Sequence, residues 1–83
     1  MPFEIIWSAN SSDQLNKLET LVSRRIAKKV RELSENHYSK DIKRLKGENA
    51  FRLRVGDYRI IFDIERDKII ILKLGHRKNV YKR

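Results

Sequence analysis

Three arginines are predicted to share one face of a tight β-hairpin in the second half of the chain. Two runs of alternating apolar and polar residues, 51–55 and 58–62, flank Gly56-Asp57, a dipeptide typical of two-residue hairpin turns. Alternation along the two strands then places these side chains on one face: Arg52, Arg54, Arg59 and the apolar Ile61. Because like charges opposite each other destabilise a sheet, Arg54 opposite Arg59 predicts an anionic ligand such as a phosphate.

The other face of this hairpin is apolar and is predicted to belong to the hydrophobic core. It carries Phe51, Leu53, Val55, Tyr58, Ile60 and Phe62. A chain of 83 residues can bury a small core of this kind, and its length predicts one domain over 1–83.

The charge of the whole chain agrees with an anionic partner. Its 20 lysines and arginines outnumber 11 acidic residues, which gives a net charge of +9. Such an excess favours a nucleic-acid partner over the two rival partners, an acidic protein and a membrane surface.

Several kinds of site and compartment are excluded by composition. The chain has no cysteine, so a disulfide framework and a thiolate metal site are impossible. No His, Asp or Glu cluster has metal-ligand spacing and no glycine-rich loop could hold a nucleotide, so neither metal nor cofactor is expected. Without a membrane-spanning stretch or a signal peptide, a cytoplasmic protein is expected.

The elements that must position the hairpin precede it. Residues 3–7 read as a strand, and Ser11 to Gln14 read as a capping box with Ser11 at the N-cap. An apolar stripe at helical spacing follows, with a basic face opposite that is predicted to be solvated. The stripe allows either one helix over about 12–35 or two helices with a break near 19–21.

Three further strands are predicted after a basic connector at 40–47, in which Ile42 and Leu45 contact the core. They cover about 50–55, 58–64 and 68–74, and the last is so apolar that it should be central. A three-residue loop at 65–67 would put Lys73 on the arginine face, and this register is preferred because an unpaired lysine in the core is costly. The predicted class is α+β: an N-terminal strand, a helical hairpin or one long helix, then a three-stranded antiparallel meander, with helices on one sheet face.

Three segments together resemble the RelE/ParE superfamily, the toxins of type II toxin–antitoxin pairs. They are Leu45-Lys46-Gly47, the hairpin at 51–62, and Gly75-His76-Arg77-Lys78-Asn79-Val80-Tyr81. The resemblance covers essentially the whole chain and is nearest to the RelE-like messenger RNA interferases. It implies a RelE-like microbial RNase fold and a ribosome-dependent endoribonuclease that needs no metal.

In that family the 2′-hydroxyl of the RNA attacks the neighbouring phosphate in the ribosomal decoding site. By motif, Arg59 matches the phosphate-stabilising arginine, Arg77 the arginine near the leaving oxygen, and Tyr81 the terminal tyrosine that orients the substrate nucleotide. The remaining matched or neighbouring cations are predicted to bind RNA: Arg52, Arg54, Lys46, Lys73 and Lys78.

One departure from the family concerns the general base. Arg52 and Arg54 stand where well-known members carry lysines, and a guanidinium stays protonated, so neither arginine can accept a proton. The candidates that remain are Lys46, Lys73, His76 and Tyr81. Histidine titrates nearest to neutral pH, which makes His76 the preferred candidate. Substrate alignment and charge stabilisation are the alternative source of the acceleration.

The resemblance also implies partners. They are messenger RNA, the ribosome and a cognate antitoxin that is acidic and extended enough to cover the basic surface. Two other functions stay open: a ParE-like inhibitor of DNA gyrase, and a nucleic-acid-binding module without catalytic activity.

Overall fold

Seven elements follow one another in the computed structural model, which describes residues 3–35, 41–45 and 50–80. They are β1 (Glu4–Trp7), α1 (Ala9–Asn16), α2 (Thr20–Glu35), β2 (Ile42–Arg44), β3 (Phe51–Val55), β4 (Tyr58–Glu65) and β5 (Lys68–His76). The strands form one sheet in the order β1-β5-β4-β3-β2, in which β1 runs parallel to β5 and every other pair is antiparallel. This arrangement confirms the α+β class, and β5 is an interior strand with a neighbour on each side. No helix in these ranges is long and apolar enough to cross a membrane.

The predicted hairpin register is confirmed. Val55 pairs with Tyr58 and Arg54 pairs with Arg59 across the two-residue turn. Gly56 has a φ of 58°, a conformation that glycine adopts without strain. A Cβ at Gly56 would lie 3.4 Å from Nη1 of Arg25, so α2 contacts the turn directly.

The helices and the apolar faces of the strands enclose one main core. Ile26, Val30 and Leu33 of α2 are buried against the sheet at the helical spacing that the sequence shows. The strands contribute Leu53, Val55, Ile60, Phe62, Ile69, Ile71 and Leu74. The alternation at 51–62 therefore sorts the hairpin residues between core and outer face as predicted.

The helical region is two helices, and the predicted N-cap is wrong. Ser8, not Ser11, caps α1 and accepts a hydrogen bond from the Ser11 backbone N–H at 3.0 Å. The reason is tertiary: the Ser8 N–H donates to the Ile71 carbonyl of β5, so the helix begins directly after the last residue of β1. The break before α2 covers residues 17–19, slightly earlier than predicted.

Where β1 ends, side chains of α1 provide hydrogen-bond partners for the backbone along that edge of β5. The Ser11 hydroxyl, which is fully buried, donates to the Ile71 carbonyl at 2.9 Å. Gln14 Oε1 accepts from the Leu74 N–H at 2.8 Å. The two residues taken as a capping box therefore bind the sheet, because a buried strand edge needs hydrogen-bond partners.

Part of the predicted connector is a strand. Ile42 pairs with Leu53 and Lys43 pairs with Arg52, so β2 forms one edge of the sheet and the meander has four strands rather than three. Ile42 packs on the main core, whereas Leu45 packs on a second cluster at the opposite face. Three residues are too few to show the alternation that identifies a strand.

The β4–β5 connection is a two-residue turn, not the three-residue loop expected at 65–67. Glu65 pairs with Lys68. Lys73 nevertheless lies on the arginine face, because a bulge at Leu72 shifts the register: Phe62 pairs with Ile71, but Ile61 pairs with Lys73. The predicted face was right and the predicted loop was wrong.

Arg66 in this turn has a φ of 56°, which is unfavourable for a side chain with a Cβ. We expect Arg66→Gly to raise the free energy of unfolding by about 0.5–1 kcal/mol, because it relieves left-handed backbone strain. Urea denaturation measures this change. Arg66→Ala is the control, since it removes the same charge and keeps the Cβ; equal effects of the two substitutions would contradict the explanation.

Candidate nucleic-acid interface

The sheet face opposite the helices carries two rows of cations, and we call it the cation face. In the first row Arg52 pairs with Lys43 on one side and Ile61 on the other, and Ile61 pairs with Lys73. In the second row Arg54 pairs with Arg59, which pairs with Gly75. The rows are two residues apart along the strands, a separation of about 7 Å. Lys43 belongs to this face, and sequence reasoning missed it because β2 was missed.

Arg54 is neutralised within the protein. Its Nη2 and Nε lie 2.8 and 3.2 Å from Oδ1 of Asp41, and its backbone N–H donates to the Asp41 carbonyl at 2.9 Å. The expectation that Arg54 opposite Arg59 requires an external anion is therefore answered in part by Asp41. Asp41 is a site residue that the sequence did not reveal, because it precedes the missed strand.

Arg59 is held against the end of its own hairpin. Its Nη1 donates to the carbonyls of Gly56 and Tyr58 at 2.9 and 3.0 Å. The Asp63 carboxylate, in the same strand, accepts from the Ile64 N–H at 2.8 Å and makes no ion pair with Arg59. The guanidinium is thus fixed in direction while it keeps further donors for a ligand.

The turn after β5, residues 77–80, brings Arg77 to the same hairpin end. The Arg77 N–H donates to the Asp57 carbonyl at 2.7 Å, and Arg77 Nε lies 3.8 Å from an Asp57 carboxylate oxygen. Arg59 and Arg77 are therefore both bonded to the Gly56-Asp57 turn. Arg59 lies in β4 and Arg77 in the turn that follows β5, and both are anchored by backbone carbonyls of the same hairpin turn.

Arg52 differs from these arginines because it carries an unsatisfied donor. Its Nε is buried and makes no hydrogen bond, although the residue as a whole is half-buried. The buried Nε is closed to a ligand, so a phosphate on the cation face would be bound through the terminal nitrogens of the Arg52 guanidinium, which carry the remaining donors.

The His76 side chain lies on the opposite sheet face from Arg54 and Arg59. It pairs with Tyr58 and its ring meets the Tyr58 ring edge-on, with centroids 5.7 Å apart, so it faces the rim of the main core. Its Nδ1 accepts a hydrogen bond from the Lys78 N–H at 3.2 Å. The structure does not bring His76 to the cation face.

The other predicted site residues are distributed around this end of β5. Lys73 borders a cleft of about 310 Å³ whose lining also includes Gln14, His76 and Asn79. Lys78 is exposed in the turn. Lys46 and Tyr81 lie outside the described residues. Within the described ranges no group of three or more His, Asp and Glu could hold a metal ion.

The chain is similar in sequence to toxins of type II toxin–antitoxin systems. The model of the ParE toxin family of type II toxin–antitoxin systems matches residues 5–81. Toxin RelE3 of Methanocaldococcus jannaschii is 45% identical over 49 residues, which are 58% of this chain and 56% of that protein; the match thus spans only about half the relative's length.

Solved structures share the fold. The toxin-antitoxin complex RelBE2 from Mycobacterium tuberculosis aligns with a TM-score of 0.83 at 23% identity, over 93% of this chain and all of that one. The RelB–RelE antitoxin–toxin complex from Methanococcus jannaschii aligns with a TM-score of 0.76 at 30% identity, over 92% and 94% of the two chains. The chain therefore belongs to the RelE/ParE superfamily of type II toxin–antitoxin toxins.

Proposed function

We propose that this toxin is an endoribonuclease that cleaves messenger RNA in the ribosomal decoding site and so inhibits translation. The observation that carries the proposal is the meeting of Arg59 and Arg77 at one hairpin turn, beside two rows of cations. A chain with a net charge of +9 is attracted to an RNA backbone from a distance, and the cation face gives that attraction a direction.

The proposed reaction is an internal transfer of the phosphate. The 2′-oxygen of one nucleotide loses its proton and bonds to phosphorus, and the bond from phosphorus to the 5′-oxygen of the next nucleotide breaks. The products are a 2′,3′-cyclic phosphate and a 5′-hydroxyl, whose oxygen takes up a proton. Arg59 stabilises the charge that develops on the phosphorane oxygens, and Arg77 stabilises the leaving oxygen.

Proton transfer is the less defined part of the site. Arginine cannot act as the base, and Arg54 is in addition bound to Asp41. Of the candidates that the structure describes, Lys73 lies on the cation face and His76 faces the core rim. We therefore propose that fixed positive charge and alignment of the RNA by the ribosome supply most of the acceleration, since positioning alone is worth several kcal/mol.

The proposed partners follow from the relatives and from charge. The similar solved structures named above are complexes of RelE proteins with RelB antitoxins. We propose that a cognate antitoxin, acidic and extended, covers the basic surface of this protein; messenger RNA and the ribosome compete for the same charges.

Inhibition of DNA gyrase is the second candidate, because the matching family model is that of the ParE toxins. Such a function would not require phosphate-binding arginines at the hairpin turn. Substitutions of Arg59 and Arg77 therefore distinguish the two candidate functions.

We expect Arg59→Ala and Arg77→Ala each to lower cleavage about 10²–10³-fold, because each removes a donor aimed at charge formed in the transition state. Primer extension on a messenger translated in a reconstituted system, with and without ribosomes, measures the cleavage. Arg66→Ala, an exposed arginine at the far end of β4, is the matched control and should cleave normally. Intact messenger with the wild-type protein, together with inhibited gyrase supercoiling, would favour the ParE-like function; two negative assays would favour a binding module.

Salt dependence tests the role of Arg52 in binding. For single-stranded RNA, each phosphate contact contributes about −0.7 to the slope of log affinity against log salt concentration. We expect Arg52→Ala to reduce the magnitude of this slope by about 0.7 in fluorescence anisotropy with a short single-stranded RNA. The Arg66→Ala control should keep the wild-type slope. Equal slopes for all three proteins would remove Arg52 from the interface.

A further inference from the structure

A second apolar cluster lies on the cation face, away from the main core. Ile61, Ala50 and Val80 are 3%, 7% and 7% exposed, and Leu45 packs against them. Ile61 comes from the middle of β4, in the row between Arg52 and Lys73. Because the Ile61 side chain cannot bind an anion, it contributes to this face by packing against other apolar side chains.

Val80 is the member of this cluster that comes from the turn after β5. A Cβ built on Gly75 would lie 3.6 Å from the Val80 Cβ, so Val80 sits directly over Gly75. Gly75 is the register partner of Arg59. The turn therefore folds back onto the cation face beside the arginine that is proposed to bind the phosphate.

The backbone of the turn is fixed at both ends. The Val80 N–H donates to the His76 carbonyl at 2.9 Å, and the Arg77 N–H donates to the Asp57 carbonyl at 2.7 Å. The Arg77 side chain itself is 56% exposed and approaches its carboxylate partner only to 3.8 Å. The position of Arg77 thus depends on the turn more than on contacts of its guanidinium.

We infer that Val80 is a positioning residue: by packing between Ile61 and Gly75 it holds the turn against the sheet and keeps Arg77 at the Gly56-Asp57 turn. Its effect on cleavage rests on the proposed function, whereas its effect on the position of Arg77 does not. Loss of the Val80 side chain lowers the fraction of molecules with Arg77 in place, and the rate falls in proportion to that fraction.

The test compares Val80→Ala with Val80→Ile and with Val30→Ala. Val30→Ala removes the same atoms from the main core, where Val30 is 0% exposed. Two readouts are needed: hydrogen exchange of the Arg77 amide by NMR, which reports its bond to Asp57, and single-turnover cleavage on ribosomes, below the melting temperature of every variant.

We expect Val80→Ala to speed exchange of the Arg77 amide and to lower the maximal cleavage rate about tenfold, with a small change in melting temperature and in KM. Val80→Ile should restore both readouts. Val30→Ala should lower the melting temperature more than Val80→Ala and leave the Arg77 amide protected and the rate near wild type.

The outcomes are distinguishable. An Arg77 amide that stays protected in Val80→Ala overturns the inference, and so does a cleavage loss in Val30→Ala as large as that in Val80→Ala. Faster exchange with an unchanged rate overturns the inferred link between the position of Arg77 and cleavage. A wild-type protein without cleavage activity rejects the proposed function, and the exchange measurement then decides alone whether Val80 positions Arg77.

Discussion

The register between β3 and β4 is the constraint on which the rest of the structure depends. Side chains alternate along a strand, so a slip of β3 by one residue against β4 would turn Arg52 and Arg54 into the core and expose the apolar residues of β3. The two-residue turn at Gly56-Asp57 excludes that slip by fixing Arg54 opposite Arg59. The same turn also supplies the carbonyls that bind Arg59 and the Arg77 backbone, so one local conformation sets both the core and the candidate site.

Concentrating positive charge on one face carries an electrostatic cost, and the protein offsets it locally. Asp41 neutralises Arg54, and two backbone carbonyls stabilise Arg59. Arg52 receives no such compensation at Nε. The cations of this face therefore differ in their partners: Arg54 and Arg59 are held by groups of the protein, whereas Arg52 Nε has no hydrogen-bond partner.

The sequence was informative where a pattern was long and local. Five residues on each side of the Gly56-Asp57 turn were enough to sort the hairpin between core and cation face. It was uninformative where a distant contact decides. Ser8 caps α1 in place of Ser11 because its backbone N–H is bonded to the Ile71 carbonyl of β5. Lys73 lies on the cation face because of the bulge at Leu72.

The candidate site shows the same division. Arg52, Arg54 and Arg59 could be grouped from alternation alone. Asp41 and Lys43 could not, because β2 is too short to be periodic, and the packing of Val80 on Ile61 crosses from a turn to a strand. The sequence offered one signal for this contact, the apolar Ile61 in a row of cations. It indicates that Ile61 has an apolar partner but does not identify Val80 as that partner.

The parallel pairing of β1 with β5 joins Glu4 to Lys68, near opposite ends of the described chain. Contacts between residues so distant form slowly, because the intervening chain must first be ordered. During synthesis β1 therefore has no β5 to pair with until β5 has left the ribosome. The sheet closes only after β5 has been made, and Arg77 follows β5 in the chain. A growing chain that stops before β5 therefore lacks the closed sheet and also lacks Arg77 at the Gly56-Asp57 turn.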